Sequence, residues 1–169
     1  WSIGGGDVPK AFSEAGVVVK QRIINQRLIP TPMETRGVVA QWDAGTGELT
    51  VWTSTQAPHL IRLLLALVNG LEEQKIRVIA PDVGGGFGSK IYLYAEEMAL
   101  SYIARQVGRP VKWIESRQEN YRATTHGRDH VQDAEMSATR DGIITGLKVR
   151  SVANVGAYLS TFAPGIPTV

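Results

Sequence analysis

The stretch PDVGGGFGSK, residues 81–90, places four glycines within five positions around a single phenylalanine. Residues 75–81 before it (KIRVIAP) are rich in β-branched side chains and predict a strand, whereas residues 92–108 after it carry apolar residues at helical spacing. A strand-to-helix corner with almost no side chains lets a ligand approach peptide N–H groups without meeting a Cβ atom. The stretch therefore predicts either a tight packing turn or a cradle for an anion or a cofactor.

Two familiar phosphate-binding motifs do not match this corner. The dinucleotide fingerprint G-x-G-x-x-G, begun at Gly84, requires a glycine where Ser89 stands. The P-loop requires G-K-[ST], whereas the order here is Gly88-Ser89-Lys90. Each ordered glycine costs roughly 0.5–1 kcal/mol relative to alanine, so a run of four favours a binding site over a simple turn. A free-standing nucleotide-binding domain stays open as an alternative that rests on the corner alone.

The pattern along the rest of the chain predicts an α+β fold, with mixed β-sheet layers and packed helices. Two of the helices have a predicted apolar face, one formed by leucines and the other by mixed residues. The predicted helices are 7–16, 57–70 (apolar face Leu60, Leu63, Leu64, Leu67) and 92–108 (apolar face Met98, Ala99, Tyr102, Ile103). The predicted strands are 17–26, 37–43 and 48–55 as a hairpin, 75–81, 111–116, and two long strands around the turn RDG within 130–158.

Composition excludes several function classes. The net charge of +2 over 169 residues is too small to indicate nucleic acid or a membrane surface as partner. The longest apolar run, residues 60–68, is too short to span a bilayer, and a cytoplasmic location fits the composition. The absence of cysteine excludes a disulfide framework, a cysteine nucleophile and an iron–sulfur cluster held by this chain. His126 and His130 lack a third ligand at useful spacing, so no metal site formed by side chains is predicted.

Three polar positions are predicted to have structural roles. Glu34 is predicted to be structural, because no catalytic base or metal-ligating residue accompanies it in its stretch of sequence. Arg117 and Glu119 are expected to form a salt-bridged turn.

Six stretches, in the right order, resemble one family of proteins. They are GDVPKAFSEA, PTPMETRG, TSTQAPH, PDVGGGFGSK, GRPVKWIESRQEN and DGIITGLKVRSVANVGAYLS. The chain resembles the molybdenum-binding large subunit of the xanthine oxidase family, the molybdenum hydroxylases. Within that family it is most similar to large subunits of the aerobic carbon monoxide dehydrogenase type. The pair TSTQAPH and VGGGFGSK, about 30 residues apart, carries most of this resemblance.

The resemblance implies a cofactor and the residues that contact it. In the family a pyranopterin dithiolene holds the molybdenum, usually as the cytosine dinucleotide form in bacteria, and no protein side chain ligates the metal. The glutamine of TSTQ, here Gln56, orients an oxo ligand of the metal, which suits a neutral amide donor. The glycine loop supplies backbone groups to the cofactor, which carries over to Gly85, Gly86, Phe87 and Gly88.

The resemblance also implies a reaction and partners. The family hydroxylates a substrate carbon with oxygen from water, and an iron–sulfur subunit and an FAD subunit take the electrons; a dimer of heterotrimers is expected. Residues 1–16 would be a linker from a preceding domain, and 17–169 the first, incomplete part of the molybdopterin-binding region. The family's glutamate base and substrate loop would then lie beyond residue 169, so this fragment is expected to be inactive. A non-catalytic ligand-binding or assembly module on the same scaffold is the alternative.

One position departs from part of the family. Members that oxidise purines or aldehydes often carry a glutamate just after the lysine of the glycine loop. Ile91 stands there, as an apolar residue does in the carbon monoxide dehydrogenase-like group, which argues against purine oxidation.

Overall fold

The computed structural model describes residues 2–157. They belong to two compact units, one formed by residues 29–127 and the other by the chain segments on either side. The helices are α1 Val8–Ser13, α2 Pro58–Asn69, α3 Ala95–Val107 and α4 Arg117–Ala123, with a short 3-10 helix at Glu73–Lys75. The strands are β1 Val17–Asn25, β2 Gly37–Asp43, β3 Glu48–Thr53, β4 Ile76–Ile79, β5 Val111–Ile114, β6 His130–Ala138 and β7 Ile144–Ala153.

The unit of residues 29–127 is built on a four-stranded mixed sheet in the order β4-β3-β2-β5. Strands β2 and β3 form the predicted antiparallel hairpin, while β3 and β4 run parallel and are connected through α2. Helices α2 and α3 pack against this sheet and against each other. The core between them is fully buried at Ala40, Val51, Ile61, Leu65 and Ala104. This layering brings the end of β3 and the segment after β4 to the same edge of the sheet.

The two long helices bury a different face from the predicted one. In α2 the buried residues are Ile61, Leu65 and Ala66, whereas Leu63 and Leu67 are 52% and 78% exposed. Apolar residues surround most of this helix, so spacing alone could not select the face that meets the sheet. Both predicted helix ends are confirmed, since a left-handed glycine follows each helix, Gly70 after α2 and Gly108 after α3.

Helix α3 buries polar side chains that the periodicity does not reveal. Its inward positions include Glu97 and Ser101 beside Leu100 and Ala104, while the predicted Tyr102 is exposed. The Glu97 carboxylate accepts hydrogen bonds from the Tyr94 amide and from the Thr53 hydroxyl. A side chain satisfied in this way can occupy a core position that hydrophobicity would not predict.

The other unit is a three-stranded antiparallel sheet in the order β1-β6-β7, with α1 packed on β7. Strands β6 and β7 are the two long strands predicted around the turn RDG. The α+β class with mixed sheets is thus confirmed. The division into a linker, residues 1–16, and a binding region, residues 17–169, stays a prediction; residues 158–169 lie outside the described part. No helix among the described residues is long and apolar enough to cross a membrane.

Candidate cofactor site

The glycine corner, defined as residues 84–88, lies between β4 and α3. Its backbone repeatedly enters the left-handed region, at Gly85 (φ +92°), Phe87 (φ +53°) and Gly88 (φ +93°). Glycine adopts such angles at little cost, whereas Phe87 is strained there. The Phe87 side chain is 62% exposed, so the corner holds an aromatic ring at the surface instead of in the core.

Gln56 lies just before α2 and is hydrogen-bonded to the last residue of the corner, Gly88, and to Lys90. Its side-chain oxygen Oε1 accepts the N–H groups of Gly88 (3.0 Å) and Lys90 (3.3 Å). The backbone N–H of Gln56 donates to the Lys90 carbonyl at 2.8 Å. Because both side-chain contacts are N–H donors, the oxygen must face the loop and Nε2 must face away. Nε2 has no hydrogen-bond partner among the described residues, so Gln56 presents an N–H donor.

Two of the glycines make room for neighbouring side chains. A Cβ atom at Gly86 would lie 2.2 Å from Gln56 Oε1, and one at Gly84 would lie 2.5 Å from the Cβ of Glu34. Both distances are far below van der Waals contact. Glycine at these two positions therefore permits close approach, a different role from the left-handed backbone of Gly85 and Gly88.

The corner leaves two adjacent amide donors available. The N–H groups of Gly84, Gly85 and Gly88 donate to Glu34, Val83 and Gln56 respectively. Those of Gly86 and Phe87 have no partner within residues 2–157, although Gly86 is buried. Buried N–H groups are nearly always paired, so this one indicates a missing acceptor. Of the four predicted loop residues, only Gly86 and Phe87 offer amides to a ligand.

Lys90 was not singled out from the sequence, yet its side chain is completely buried. Its ammonium donates to the carboxylate of Glu34 at 2.8 Å and to the Glu34 backbone carbonyl at 3.0 Å. The same carboxylate oxygen accepts from the Ser54 hydroxyl and from the Gly84 amide. Burial pushes the pKa of Glu34 upward, but these hydrogen bonds outweigh it and hold the pKa below its ordinary value. Glu34 is consequently a carboxylate at neutral pH.

A second buried ion pair supports the segment that carries Glu34. The Arg36 guanidinium donates to the Glu115 carboxylate at 2.6 Å and stacks on the Tyr94 ring at 3.7 Å. Asn120 donates to the second oxygen of that carboxylate at 2.7 Å. Burial alone would raise the pKa of Glu115. The hydrogen bonds from Arg36 and Asn120 lower the pKa by more than burial raises it, so it lies below its ordinary value.

The predicted salt-bridged turn between Arg117 and Glu119 is wrong. Arg117 donates to the backbone carbonyls of Pro32 and Met33, and Glu119 accepts the N–H of Ser116 at the start of α4. The free N–H groups of a helix N-terminus compete successfully for a nearby carboxylate. Arg117 instead ties α4 to the segment before Glu34.

The residues present fit a ligand that carries acceptor atoms. Three donors without charge have no partner within residues 2–157: the amides of Gly86 and Phe87 and Nε2 of Gln56. Within residues 2–157 no group of three or more His, Cys, Asp or Glu side chains could hold a metal ion.

Comparison with known proteins gives the family. The profile of the family described as Molybdopterin cofactor-binding domain matches residues 1–169. The carbon monoxide dehydrogenase large chain of Hydrogenophaga pseudoflava is 41% identical over 158 residues, which are 92% of this chain and 20% of that one. The nicotine 6-hydroxylase large subunit of Paenarthrobacter nicotinovorans is 39% identical over 153 residues, or 90% of this chain and 19% of that one.

A solved structure agrees with the sequence comparison. Quinoline 2-oxidoreductase from Pseudomonas putida 86 superposes with a TM-score of 0.77 at 38% identity, covering 92% of this chain and 20% of that chain. The chain spans about a fifth of the length of these three relatives. The resemblance to molybdenum hydroxylase large subunits is thereby confirmed, and the chain belongs to the molybdopterin cofactor-binding domain family.

Proposed function

We propose that this chain is the first cofactor-contacting part of the large subunit of a molybdenum hydroxylase. Such an oxidoreductase, of the carbon monoxide dehydrogenase or aldehyde oxidase type, hydroxylates a substrate carbon with oxygen from water. The observation that carries the proposal is that the amides of Gly86 and Phe87, and Nε2 of Gln56 close to them, have no partner in the described part of the chain. The cofactor is a molybdenum pyranopterin, proposed in its cytosine dinucleotide form.

Each residue of the site has a defined part in this proposal. The N–H groups of Gly86 and Phe87 donate to acceptor atoms of the cofactor, and Gln56 Nε2 donates toward the metal centre and orients its oxygen ligand. The Gln56 amide does not titrate, so this donor keeps its state across the physiological pH range. The cofactor supplies the redox centre. The glycines at 85 and 88 give the backbone its left-handed turns on either side of these two amides.

The substrate and the partners belong to the proposal as well. The relatives act on carbon monoxide, nicotine and quinoline according to their names, and the apolar Ile91 favours the carbon monoxide dehydrogenase-like group over purine oxidation. An iron–sulfur subunit and an FAD subunit would take the electrons in a cytoplasmic dimer of heterotrimers. Support comes from relatives named large chain and large subunit.

Cofactor analysis tests the proposal. The enzyme that contains this chain is purified with its partner subunits from cells with working cofactor maturation, and molybdenum and acid-released cytidine nucleotide are measured. About one of each per chain is expected, on the stoichiometry of one site per chain. Absence of both would refute the proposal and favour a non-catalytic module. If nucleotide alone raised the thermal midpoint of the molybdenum-free chain, a nucleotide-binding domain would be favoured instead.

A further inference from the structure

We propose that the Glu34–Lys90 ion pair is a clamp that positions Gln56 and the glycine corner. The ligand toward which they are positioned rests on the proposed function, whereas the clamp itself is a property of this chain. Neither residue faces the ligand in this proposal. Both act through the backbone and through Gln56, so they are positioning residues.

Lys90 connects to Gln56 through both of its backbone groups. Its N–H donates to Gln56 Oε1 at 3.3 Å, and its carbonyl accepts the Gln56 N–H at 2.8 Å. The Thr55 hydroxyl donates to the same carbonyl at 3.0 Å. The position of the Lys90 backbone therefore decides where the Gln56 amide lies and which of its ends faces outward.

Glu34 holds the opposite end of the corner. Its N–H donates to the Gly84 carbonyl at 3.2 Å, and its carboxylate accepts the Gly84 N–H at 2.9 Å. The corner is thus fixed at Gly84 by Glu34 and at Gly88 by Gln56. The two amides without a partner in residues 2–157 lie between these fixed points. Lys90 links the two anchors, since its ammonium is bonded to Glu34 and its backbone to Gln56.

The choice of a charge pair that buries its lysine is informative. A buried ion pair is often no more stabilising than apolar residues of the same volume, because both charges lose their hydration. Its geometry is directional, however, since the Lys90 ammonium contacts both the carboxylate and the carbonyl of one residue, Glu34. The backbone that it holds includes the strained Phe87 (φ +53°), and such strain persists only where surrounding contacts enforce it. Position, more than stability, is what the pair supplies.

Hydrogen exchange of the full, cofactor-free chain tests the clamp. The variants are Glu34→Gln, Lys90→Met and the double variant without either charge. The matched control is Glu73→Gln, because Glu73 is paired with Arg62 and is as exposed as Glu34, at 40% in both cases. In the single and double variants we expect the hydrogen-bonded amides of Gly84, Gly88 and Lys90 to exchange about tenfold faster, as expected for loss of a charge-assisted hydrogen bond.

The double variant separates positioning from stability. Removing both charges leaves no unpaired buried charge, so the thermal midpoint is expected to recover toward that of the wild type. The fast exchange of the Gly84, Gly88 and Lys90 amides is expected to persist, because the ion pair between positions 34 and 90 is still absent. Restored protection in the double variant, or equal acceleration in Glu73→Gln, would overturn the clamp.

A spectroscopic measurement on the loaded enzyme completes the test. The electron paramagnetic resonance spectrum of Mo(V) is expected to change in Glu34→Gln and Lys90→Met and to stay unchanged in Glu73→Gln. A wild-type spectrum from either clamp variant, at normal molybdenum content, would overturn the proposal. Wild-type enzyme without molybdenum would refute the proposed function, and the exchange measurement would then decide the clamp on its own.

Discussion

Replacing Gly86 by alanine should displace Gln56 while the fold is retained. The new Cβ would lie 2.2 Å from Gln56 Oε1, 2.5 Å from its Cδ and 2.7 Å from its Cγ. Gly86 has no positive φ, so the backbone accepts alanine and only the contact with Gln56 resists it. Since the contacting atoms belong to a flexible side chain, Gln56 should swing away and lose its bonds to the amides of Gly88 and Lys90.

The size of the effect follows from those two hydrogen bonds. Each contributes a net ~0.5–1.5 kcal/mol, so their loss lowers the free energy of unfolding by about 1–3 kcal/mol. The lower entropy of the unfolded chain with alanine offsets about 0.4–1 kcal/mol of this loss. In a Gln56→Ala background both bonds are already absent, and Gly86→Ala should then be neutral or slightly stabilising. The expected coupling between the two positions is about 1–3 kcal/mol.

Urea denaturation followed by tryptophan fluorescence measures all four members of this cycle. Gly127→Ala is the control, because a Cβ atom there meets nothing within 4 Å and Gly127 has no positive φ; a change within about 0.5 kcal/mol is expected. If Gly86→Ala cost the same with and without Gln56, the contact between them could not be the reason for glycine at this position.

Three further predictions concern the scaffold. Leu65→Ala should lower the free energy of unfolding by about 2–5 kcal/mol, whereas Leu67→Ala should change it by under about 0.5 kcal/mol; equal costs in denaturation would contradict the observed face of α2. Because the folded-state pKa of Glu115 is depressed beside Arg36, its stabilisation is present above the unfolded pKa of about 4.3 and is lost as pH falls through the lower folded value. Thermal midpoints between roughly pH 2 and 7 should therefore fall more steeply on the acid side for wild type than for Glu115→Gln, and parallel curves would refute this. Ser116→Ala should cost ~1 kcal/mol, since its hydroxyl accepts an N–H at the start of α4; unchanged stability would show that the cap is dispensable.

Local sequence signals were sufficient for most of the elements and for the corner, although helix α4, Arg117–Ala123, was not predicted. Glycine after each long helix, the hairpin at 37–55 and the turn RDG are decided by residues close in sequence, and each was predicted correctly. The buried faces of the two long helices were not, because they depend on which side meets the sheet. Glu97 shows the limit clearly, since its burial depends on a hydroxyl at residue 53.

The site was only partly visible in the sequence. The glycine run was found from its own residues and Gln56 through a resemblance to a family pattern, and the structure brings them into contact. Lys90 and Glu34 could not be paired in advance, because they lie 56 residues apart and a lysine in a glycine-rich loop is ordinarily exposed. Long-range contacts also decide which amides of the glycine corner have a partner within the chain. The roles of Gln56 and of the corner residues toward a cofactor stay predictions.

A crystal structure of the molybdenum-loaded enzyme would test the central claim most directly. The account predicts acceptor atoms of the cofactor within about 3.2 Å, the usual N–H···O limit, of the amide nitrogens of Gly86 and Phe87. It also predicts Gln56 with Oε1 on the Gly88 amide and Nε2 toward the metal centre. A cofactor bound elsewhere, or one that left both amides without an acceptor, would contradict it.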